Sequence, residues 1–375
     1  MERIQEKVIG HDLDRKYVFL TGPRQVGKTI LARRLADMRQ GSCYLNFDAD
    51  RDRLAILRQT WDRKAPLIIL DEIHKLKSWK RRLKGIYDTE GIPPRILVTG
   101  SARLDLYRRG GDSMAGRYFL HRLYPLSVRE LRGTASPTTI LEQLNRCGGF
   151  PEPYLSGSER HAARWRQQHL ERIVREDIQD LEPVKDVKSL LLLVELLRER
   201  VGSPLSYTSL GRDLELSPHT VKRWIQVLDH MYVIFLVAPW HRNVARAILK
   251  EPKVYFYDTG AVRGDEGIRL ENTVAVCLRK WLHYRVDTQG RTTELYYIRD
   301  KEKREVDFAV VEEGQPRILI EVKRSETAVS PSLRYFTQRL APAESLQIVQ
   351  NAGRAETVHG IHVRPAAVWL DALDV

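Results

Sequence analysis

The segment KYVFLTGPRQVGKTILARRLA, which begins at Lys16, constrains the fold more than any other part of the chain. Its apolar residues from Tyr17 to Thr21 predict a buried strand, and the pattern after Thr29 predicts an amphipathic helix. The residues between strand and helix follow the pattern G-x-x-x-x-G-K-T and are Gly22, Pro23, Arg24, Gln25, Val26, Gly27, Lys28 and Thr29. This is the context in which a phosphate-binding loop occurs, so the sequence predicts an α/β nucleotide-binding domain with a parallel sheet.

The residue types in this loop predict how a nucleoside triphosphate is bound. Backbone N–H groups of a glycine-rich loop curl around the phosphates, and the N-terminus of the next helix adds its dipole. Lys28 is expected to reach the β and γ phosphates, and the Thr29 hydroxyl is expected to ligate Mg²⁺. ATP and Mg²⁺ are therefore the cofactors expected here.

An acidic pair closes a second predicted strand. The segment APLIILDEIHK, from Ala65, is continuously apolar, as in a parallel sheet that is buried on both faces, and it ends in Asp71 and Glu72. Asp71 is expected to hold Mg²⁺ through water, and Glu72 is expected to polarise the attacking water. An acidic pair at the end of a strand can also cap a helix, but the phosphate-binding loop makes that interpretation weak.

Two further strands are predicted near this pair. Cys43–Asp50 lies between the loop and the acidic pair in the sequence, and Arg95–Ala102 follows the pair. An extra strand, with a glutamate after the aspartate, indicates the ATPases that use a catalytic glutamate. In that class the next strand ends in a polar residue that senses the γ-phosphate, for which Thr99 and Ser101 are the candidates.

Two arginines are candidates for an arginine finger, which completes a phosphoryl-transfer site from a neighbouring subunit. Arg117, in the segment AGRYF before another predicted strand, is the first candidate, and Arg103 is the second. A finger supplied in trans requires an assembly, so we expect a homo-oligomer. For either residue, an ordinary surface arginine is an equally good interpretation.

Taken together, these segments resemble the bacterial and archaeal AAA-family ATPases that carry a C-terminal domain of unknown function. The resemblance rests first on GPRQVGKT, LIILDEIHK, VTGSA, AGRYFLHRLYPLSVRE and GGFPEPY, and then on YFYDTG, ENTV, EVDFAV and IEVK for the C-terminal domain. It covers nearly the whole chain, and the motifs occur in the expected order. It implies ATP binding and hydrolysis, but no settled cellular role.

The middle of the chain is predicted to be helical. From Ser206, the segment SYTSLGRDLELSPHTVKRWIQVLDHMYVIFLV gives a short helix, a turn, a second helix capped by Ser217, and a β-rich tail. This pattern is typical of a winged helix. Its second helix would present Lys222 and Arg223 to DNA. Winged helices also serve as protein-interaction and spacer modules, so DNA contact is one of two interpretations.

The segment ILIEVK, from Ile318, places Glu321 and Lys323 on one face of a predicted strand. Asp307 lies on the preceding strand, and Glu271 lies in the first turn of a helix that is predicted from Ile268. The predicted order of helix, three strands, helix and strand is the core order of restriction-endonuclease-like nucleases.

In such a domain, the carboxylates of Glu271, Asp307 and Glu321 would hold Mg²⁺ or Mn²⁺. Lys323 would orient the attacking water or stabilise charge on the phosphate. A simple salt bridge would explain Glu321 and Lys323, but not the other two carboxylates. Such folds can also persist as binding modules, so nuclease activity is a separate question from the fold.

The net charge and composition of the chain indicate which binding partners to expect. A net charge of +13 and a pI near 9.6 favour polyanions, with DNA as the first expectation. The three cysteines, Cys43, Cys147 and Cys277, have neither metal-ligand spacing nor the pattern of a disulfide framework, which fits a reducing cytoplasm. The longest apolar run is too short to cross a membrane, and the N-terminus lacks the apolar core of a signal peptide. We therefore expect a cytoplasmic protein without a membrane partner.

Four domains are expected from these patterns: an AAA-type P-loop ATPase core at 1–125, a helical lid at 126–186, a winged helix at 187–250 and a nuclease-like α/β domain at 251–375. The expected function is ATP hydrolysis coupled to DNA binding, with Mg²⁺-dependent cleavage by the C-terminal domain. One alternative is an ATP-driven oligomeric switch whose C-terminal domain binds only a protein partner. A membrane-associated ATPase is a weaker alternative, because no amphipathic anchor supports it.

Overall fold

The computed structural model of the chain describes residues 2–100, 114–178, 186–241, 251–326 and 328–373. The chain divides into two compact units. The first contains Met1–Tyr124 with two short pieces, 230–232 and 287–289, and the second contains the remainder. The four domain boundaries given above stay predictions.

The first unit is built on a five-stranded sheet with the order β2-β3-β4-β1-β5, in which every pair of neighbours is parallel. Its strands are β1 (Tyr17–Thr21), β2 (Cys43–Asn46), β3 (Ile68–Asp71), β4 (Ile96–Thr99) and β5 (Tyr118–Arg122). Its helices are α1 (Glu6–Asp12), α2 (Lys28–Asp37), α3 (Asp50–Arg58) and α4 (Trp79–Glu90), with a 3₁₀ turn at Ile73–Lys75. The predicted parallel sheet is confirmed.

The spatial order of these strands differs from their order in the chain. The strand that lies between β1 and β3 is β4, while β2 lies at the edge of the sheet. All residues of β1, β3 and β4 are buried, which is why these segments read as uninterrupted apolar runs. Because β1, β4 and β3 are parallel neighbours, their carboxyl ends meet at one edge of the sheet.

The second unit begins with helices. They are α5 (Pro137–Cys147), α6 (Pro151–Ser156) and α7 (Glu159–Arg172), and one π-helical turn follows at Ile173–Ile178. The turn between α5 and α6 approaches Asp258: Gly148 has φ +83°, and a Cβ there would lie 1.9 Å from Asp258 Oδ1. Asp258 also accepts a hydrogen bond of 2.5 Å from Arg166 on α7. The GGFPEPY and YFYDTG segments are thus held together within this unit.

The next elements are α8 (Val187–Arg198), α9 (Tyr207–Asp213), α10 (Pro218–His230), β6 (Ile234–Pro239) and β7 (Lys253–Phe256). Ser217 caps α10, because its hydroxyl accepts a hydrogen bond of 3.1 Å from the Thr220 N–H. Strands β6 and β7 form an antiparallel pair. They belong to the same sheet as the C-terminal strands.

An eight-stranded sheet completes this unit, with the order β12-β13-β11-β10-β9-β8-β6-β7. Its remaining strands are β8 (Thr293–Arg299), β9 (Glu305–Glu312), β10 (Gln315–Lys323), β11 (Glu344–Val349), β12 (Glu356–Val358) and β13 (Ile361–Pro365). The helices are α11 (Glu266–Gln289), α12 (Pro331–Leu340) and α13 (Ala366–Asp371). Strands β8, β9 and β10 are antiparallel neighbours, and β10 is parallel to β11.

The predicted succession of helix, three strands, helix and strand is thus present as α11, β8, β9, β10, α12 and β11. Within the described ranges, no helix combines the length and hydropathy that a membrane span requires.

Candidate functional sites

The phosphate-binding loop lies between β1 and α2. Gly27 has φ +102° and is the residue before the first turn of α2. At Gly22, φ is +141°, and a Cβ would lie 2.1 Å from the carbonyl oxygen of Leu123. Both positions therefore require glycine. A loop with glycine at these two positions can turn several N–H groups toward one phosphate.

Lys28 is buried and folds back over this loop. Its ammonium donates to the carbonyl oxygens of Gly22, at 2.9 Å, and Pro23, at 2.6 Å. These contacts hold the ammonium at the centre of the loop, where an anion would accept the same hydrogen bonds.

Asp71, at the end of β3, accepts hydrogen bonds from three hydroxyl groups. Thr29 donates to Oδ2 over 3.0 Å, Tyr44 donates to Oδ2 over 2.6 Å, and Thr99 donates to Oδ1. The register explains part of this arrangement, because Asp71 is paired with Thr99 across β3 and β4. Three residues named from the sequence, Thr29, Asp71 and Thr99, are thus brought together.

Tyr44 was missed by the sequence analysis. It lies on β2, at the edge of the sheet, and burial and the hydrogen bond to Asp71 raise the pKa of its phenol to about 12. The hydroxyl therefore stays protonated and donates at neutral pH. The only sequence signal for Tyr44 was that an aromatic residue with a hydroxyl group lies in a predicted strand.

Glu72 follows Asp71 in the left-handed region, with φ +58°. One of its carboxylate oxygens lies 3.6 Å from His74 Nε2 and 3.7 Å from Lys75 Nζ. Lys75 also binds Asp48, at 2.5 Å. Burial raises the pKa of Glu72. A raised pKa is the property expected of a group that takes up a proton during a reaction.

Arg117, the first arginine-finger candidate, is engaged within its own chain. Its guanidinium binds both carboxylate oxygens of Asp88, at 2.6 and 3.2 Å, and donates to the carbonyl of Ala115. To act on a neighbouring subunit, it would have to leave Asp88. The other candidate, Arg103, and the sensor candidate Ser101 lie outside the described residues.

The two residues predicted to contact DNA lie on α10. Lys222 and Arg223 are exposed, while Val221, Trp224, Ile225 and Leu228 are buried on the opposite side of the helix. Lys222 and Arg223 therefore lie on the solvent-facing side of α10. Contact with DNA stays a prediction.

In the C-terminal sheet, Asp307 and Glu321 lie on the paired strands β9 and β10. Asp307 Oδ2 accepts a hydrogen bond of 2.9 Å from the Val322 N–H. Lys323 Nζ lies 2.9 Å from Glu321 Oε1. Glu321 is 5% exposed, and among the described residues its Oε2 atom has no hydrogen-bond partner, although the nearby Ser330 hydroxyl favours the ionised carboxylate.

Glu271 has a different set of partners. The Tyr255 hydroxyl donates to its Oε1 atom over 2.7 Å. The same atom lies 3.6 Å from Lys253 Nζ. Lys253 was missed by the sequence analysis. It is 1% exposed, and its ammonium also lies 2.6 Å from Glu305 Oε1 and 3.7 Å from Asp307 Oδ1.

The charges in this cluster shift its pKa values. Burial, and next the charge of Asp307, raise the pKa of Glu271 to about 7, and the same two causes raise that of Glu321 to about 7. Burial disfavours the charged form of Lys253, but the surrounding carboxylates outweigh burial and raise its pKa. Nearby positive charge therefore stabilises the ionised carboxylates of this cluster.

The predicted metal ligands fit this geometry only in part. Among the described residues, no three His, Cys, Asp or Glu side chains are grouped in a way that could hold a metal ion. Glu321 Oε2 is a buried acceptor that has no hydrogen-bond partner among the described residues, on a strand paired with that of Asp307. The Glu271 carboxylate is instead satisfied by Tyr255 and Lys253, so the geometry does not place it in that ligand set.

Comparison with protein families divides the chain into three segments. Residues 14–132 match the family described as AAA domain. Residues 138–267 match a domain of unknown function, DUF8612, and residues 266–369 match another, DUF4143. Residues 14–132 form an AAA-type P-loop ATPase domain. The corresponding part of the resemblance is confirmed, whereas a nuclease-like C-terminal fold stays a prediction.

Related proteins exist in bacteria and archaea. The uncharacterized protein Rv2008c of Mycobacterium tuberculosis is 29% identical over 329 residues, which is 84% of this chain and 72% of the relative. The uncharacterized protein MJ1544 of Methanocaldococcus jannaschii is 22% identical over 377 residues, covering 89% and 82%.

The similarity of this chain to solved structures is low. The Walker-type ATPase PABY2304 of Pyrococcus abyssi has a TM-score of 0.42 and 16% identity, covering 72% of this chain and 95% of its own. The RuvB Holliday junction branch migration motor of Thermotoga maritima has a TM-score of 0.33 and 18% identity, covering 61% and 87%. Likenesses at this level carry no information about activity.

Proposed function

We propose that this protein hydrolyses ATP in its AAA domain and couples hydrolysis to the binding of DNA. The observation that carries the first half is the convergence of the Thr29, Tyr44 and Thr99 hydroxyl groups on Asp71, next to the phosphate-binding loop. This is the position where a P-loop ATPase holds Mg²⁺ and the γ-phosphate.

The residues of the site would divide the reaction between them. The Lys28 ammonium would exchange the carbonyl oxygens of its own loop for the β and γ phosphates. Thr29 and Asp71 would hold Mg²⁺, which when bound neutralises charge on the phosphate oxygens. Glu72 would accept the proton of the attacking water, and its raised pKa favours that role.

Two variants separate these roles. Lys28→Ala should weaken nucleotide binding, because the phosphate contact is lost. Glu72→Gln should bind ATP normally and stop turnover, because only the proton acceptor is removed. Phosphate release and the binding of a fluorescent ATP analogue measure the two effects. Normal turnover by Glu72→Gln would refute the assigned role.

The second half of the proposal concerns DNA. It rests on the net charge of +13 and on the exposed Lys222 and Arg223 of α10. Replacing both with glutamate should weaken DNA binding and leave the ATPase rate without DNA unchanged. Binding should also fall steeply with added salt, because phosphate contacts release counterions.

A matched control has the same change of charge elsewhere in the second unit. Arg160 and Arg164 are exposed on α7, and both can be replaced with glutamate. If the α10 variant binds DNA like this control or better, α10 is not the contact. If no DNA binding is measured with the unchanged protein, the DNA half of the proposal is wrong.

Cleavage of DNA is the further activity that the C-terminal domain would supply. The observation in its favour is the buried Glu321 Oε2 atom, without a donor among the described residues, on a strand paired with that of Asp307. These two carboxylates would hold one Mg²⁺ or Mn²⁺ ion, which when bound activates water and stabilises phosphate charge. Lys323 would orient the water or stabilise the phosphate.

Asp307→Ala and Lys323→Ala separate ligand from catalyst. Both should abolish cleavage, but only Asp307→Ala should lose the ion. If calorimetry detects no divalent ion beyond the ATP site in the unchanged protein, with or without DNA, the domain is a partner-binding module. ATPase activity that is indifferent to DNA, together with ATP-dependent change of oligomeric state, would favour the alternative of an oligomeric switch.

A further inference from the structure

The C-terminal carboxylate cluster contains a positive charge that belongs to the chain itself. The ammonium of Lys253 lies between three carboxylates, at 2.6 Å from Glu305, 3.6 Å from Glu271 and 3.7 Å from Asp307. The shortest of these contacts is a hydrogen bond between charged groups, and the other two are within ion-pair distance.

This ammonium is almost completely shielded from solvent. Lys253 is 1% exposed and opens β7, and its ammonium lies 5.4 Å from the centre of the Tyr297 ring. A segment of irregular backbone covers the same strand: Gly202 donates to the carbonyl of Val254 over 3.2 Å, and Leu205 donates to that of Pro252 over 2.8 Å. The ammonium is therefore a buried part of the cluster.

Gly202 also closes the other side of Glu271. Its φ is +74°, and a Cβ at this position would lie 2.9 Å from Glu271 Oε1 and 3.0 Å from Oε2. With Gly202 on one side and Tyr255 and Lys253 on the other, the Glu271 carboxylate has little room to turn toward a second ion.

We propose that Lys253 is the built-in cation of this cluster, that it takes the place of a second divalent ion, and that it limits the site to a single ion at Asp307 and Glu321. The one-ion part rests on the proposed metal-dependent function. Lys253 is a positioning residue in this account, because it acts through the carboxylates that it neutralises.

The two oxygens of Asp307 support this division. Oδ1 faces Lys253, and Oδ2 faces the backbone N–H of Val322 and the strand that carries Glu321. A second ion on the Oδ1 side would have to share its position with an ammonium that is almost fully buried. Arg299, which lies 3.3 Å from Glu305, adds further positive charge on the same side.

Counting bound ions tests the one-ion part. The full chain is titrated with Mn²⁺ in the absence of nucleotide, and free Mn²⁺ is followed by electron paramagnetic resonance. One ion is expected for the unchanged protein and two for Lys253→Met, which keeps the length of the side chain but removes its charge. The exposed Lys301 provides the control, and Lys301→Met should bind one ion.

Unfolding in EDTA tests the built-in cation without any metal. Lys253→Met should lower the melting temperature, because three carboxylates lose their shared ammonium. Adding Glu305→Gln to this variant should recover part of the loss, since one carboxylate fewer then needs compensation. Excess Mn²⁺ should raise the melting temperature of Lys253→Met more than that of the unchanged protein.

The outcomes separate this inference from the proposed function. Two ions in the unchanged protein would overturn the one-ion limit and leave metal-dependent cleavage standing. A single ion in Lys253→Met would also overturn it. No Mn²⁺ in any variant would refute the metal site and the one-ion limit together. A melting temperature in EDTA that Lys253→Met does not change would refute Lys253 as the cation of the cluster.

Discussion

Replacing Tyr44 with phenylalanine removes a single oxygen atom from the network around Asp71. The Tyr44 hydroxyl donates to Asp71 Oδ2 over 2.6 Å, and Asp71 is 3% exposed. A hydrogen bond to a charged group contributes about 1.5–3 kcal/mol. The carboxylate keeps two other donors, Thr29 and Thr99, so we expect the lower part of this range, about 1.5–2 kcal/mol.

This loss corresponds to a measurable change in melting temperature. For a domain a little over 100 residues long, 1 kcal/mol changes the melting temperature by about 4 °C. Tyr44→Phe should therefore melt about 6–8 °C lower than the unchanged protein. The relevant transition is the one that ATP and Mg²⁺ raise, because a ligand stabilises the domain that binds it.

A second tyrosine in the same sheet provides a matched control. Tyr17, on β1, is fully buried, and within the described residues its hydroxyl has no hydrogen-bond partner. Tyr17→Phe therefore removes a buried polar atom without breaking a hydrogen bond, and its melting temperature should stay the same or rise. If Tyr44→Phe and Tyr17→Phe melt together, the hydrogen bond to Asp71 contributes nothing and the reasoning is wrong.

Three further predictions concern other groups. If Arg117 is the finger, Arg117→Ala should lower the ATPase rate by about 10³–10⁵-fold. Mixing it with Lys28→Ala protein should restore turnover, whereas no gain, with no ATP-dependent oligomer in solution, would exclude the trans arrangement. Burial raises the pKa of Glu321 from 4.5 to about 7, so the metal-free chain should lose stability as pH rises through about 7, and Glu321→Gln should flatten this dependence in EDTA melts. Lys280 binds Glu130 in an ion pair that is almost fully buried, so Lys280→Met should cost about 3–5 kcal/mol by removing one charge of a buried pair. In denaturant titrations, adding Glu130→Gln should recover part of this loss, and an unchanged stability of Lys280→Met would contradict the prediction.

Several features could be predicted because their signals are local. The phosphate-binding loop needs glycine at fixed spacing, and its neighbours in the chain form the strand and the helix that make it recognisable. Ser217 could be predicted as a helix cap, since its hydroxyl meets an N–H three residues later. The helix predicted from Ile268 begins slightly earlier, at Glu266, because Asp265 caps it through the Ile268 N–H.

Other features could not be predicted, because they depend on residues far apart in the chain. Tyr44 meets Asp71 only after β2 is placed beside β3, and Arg117 binds Asp88 only after β5 and α4 belong to one unit. Sequence spacing also gave no reason to expect β4 between β1 and β3. The partner of a charged or polar side chain is therefore the least predictable property of these sites.

The sequence by itself determined the phosphate-binding loop, the buried strands of a parallel sheet, and the placement of Glu321 and Lys323 on one strand, because these depend on glycine spacing, on uninterrupted apolar runs and on the alternation of side chains along a strand. Only the tertiary structure decided which charges meet. Lys253 is one lysine in a basic chain until β7, β9 and α11 bring it within ion-pair distance of Glu271, Glu305 and Asp307. Ion pairing depends on distance in space, and the distance between such residues is set by packing that no local pattern encodes.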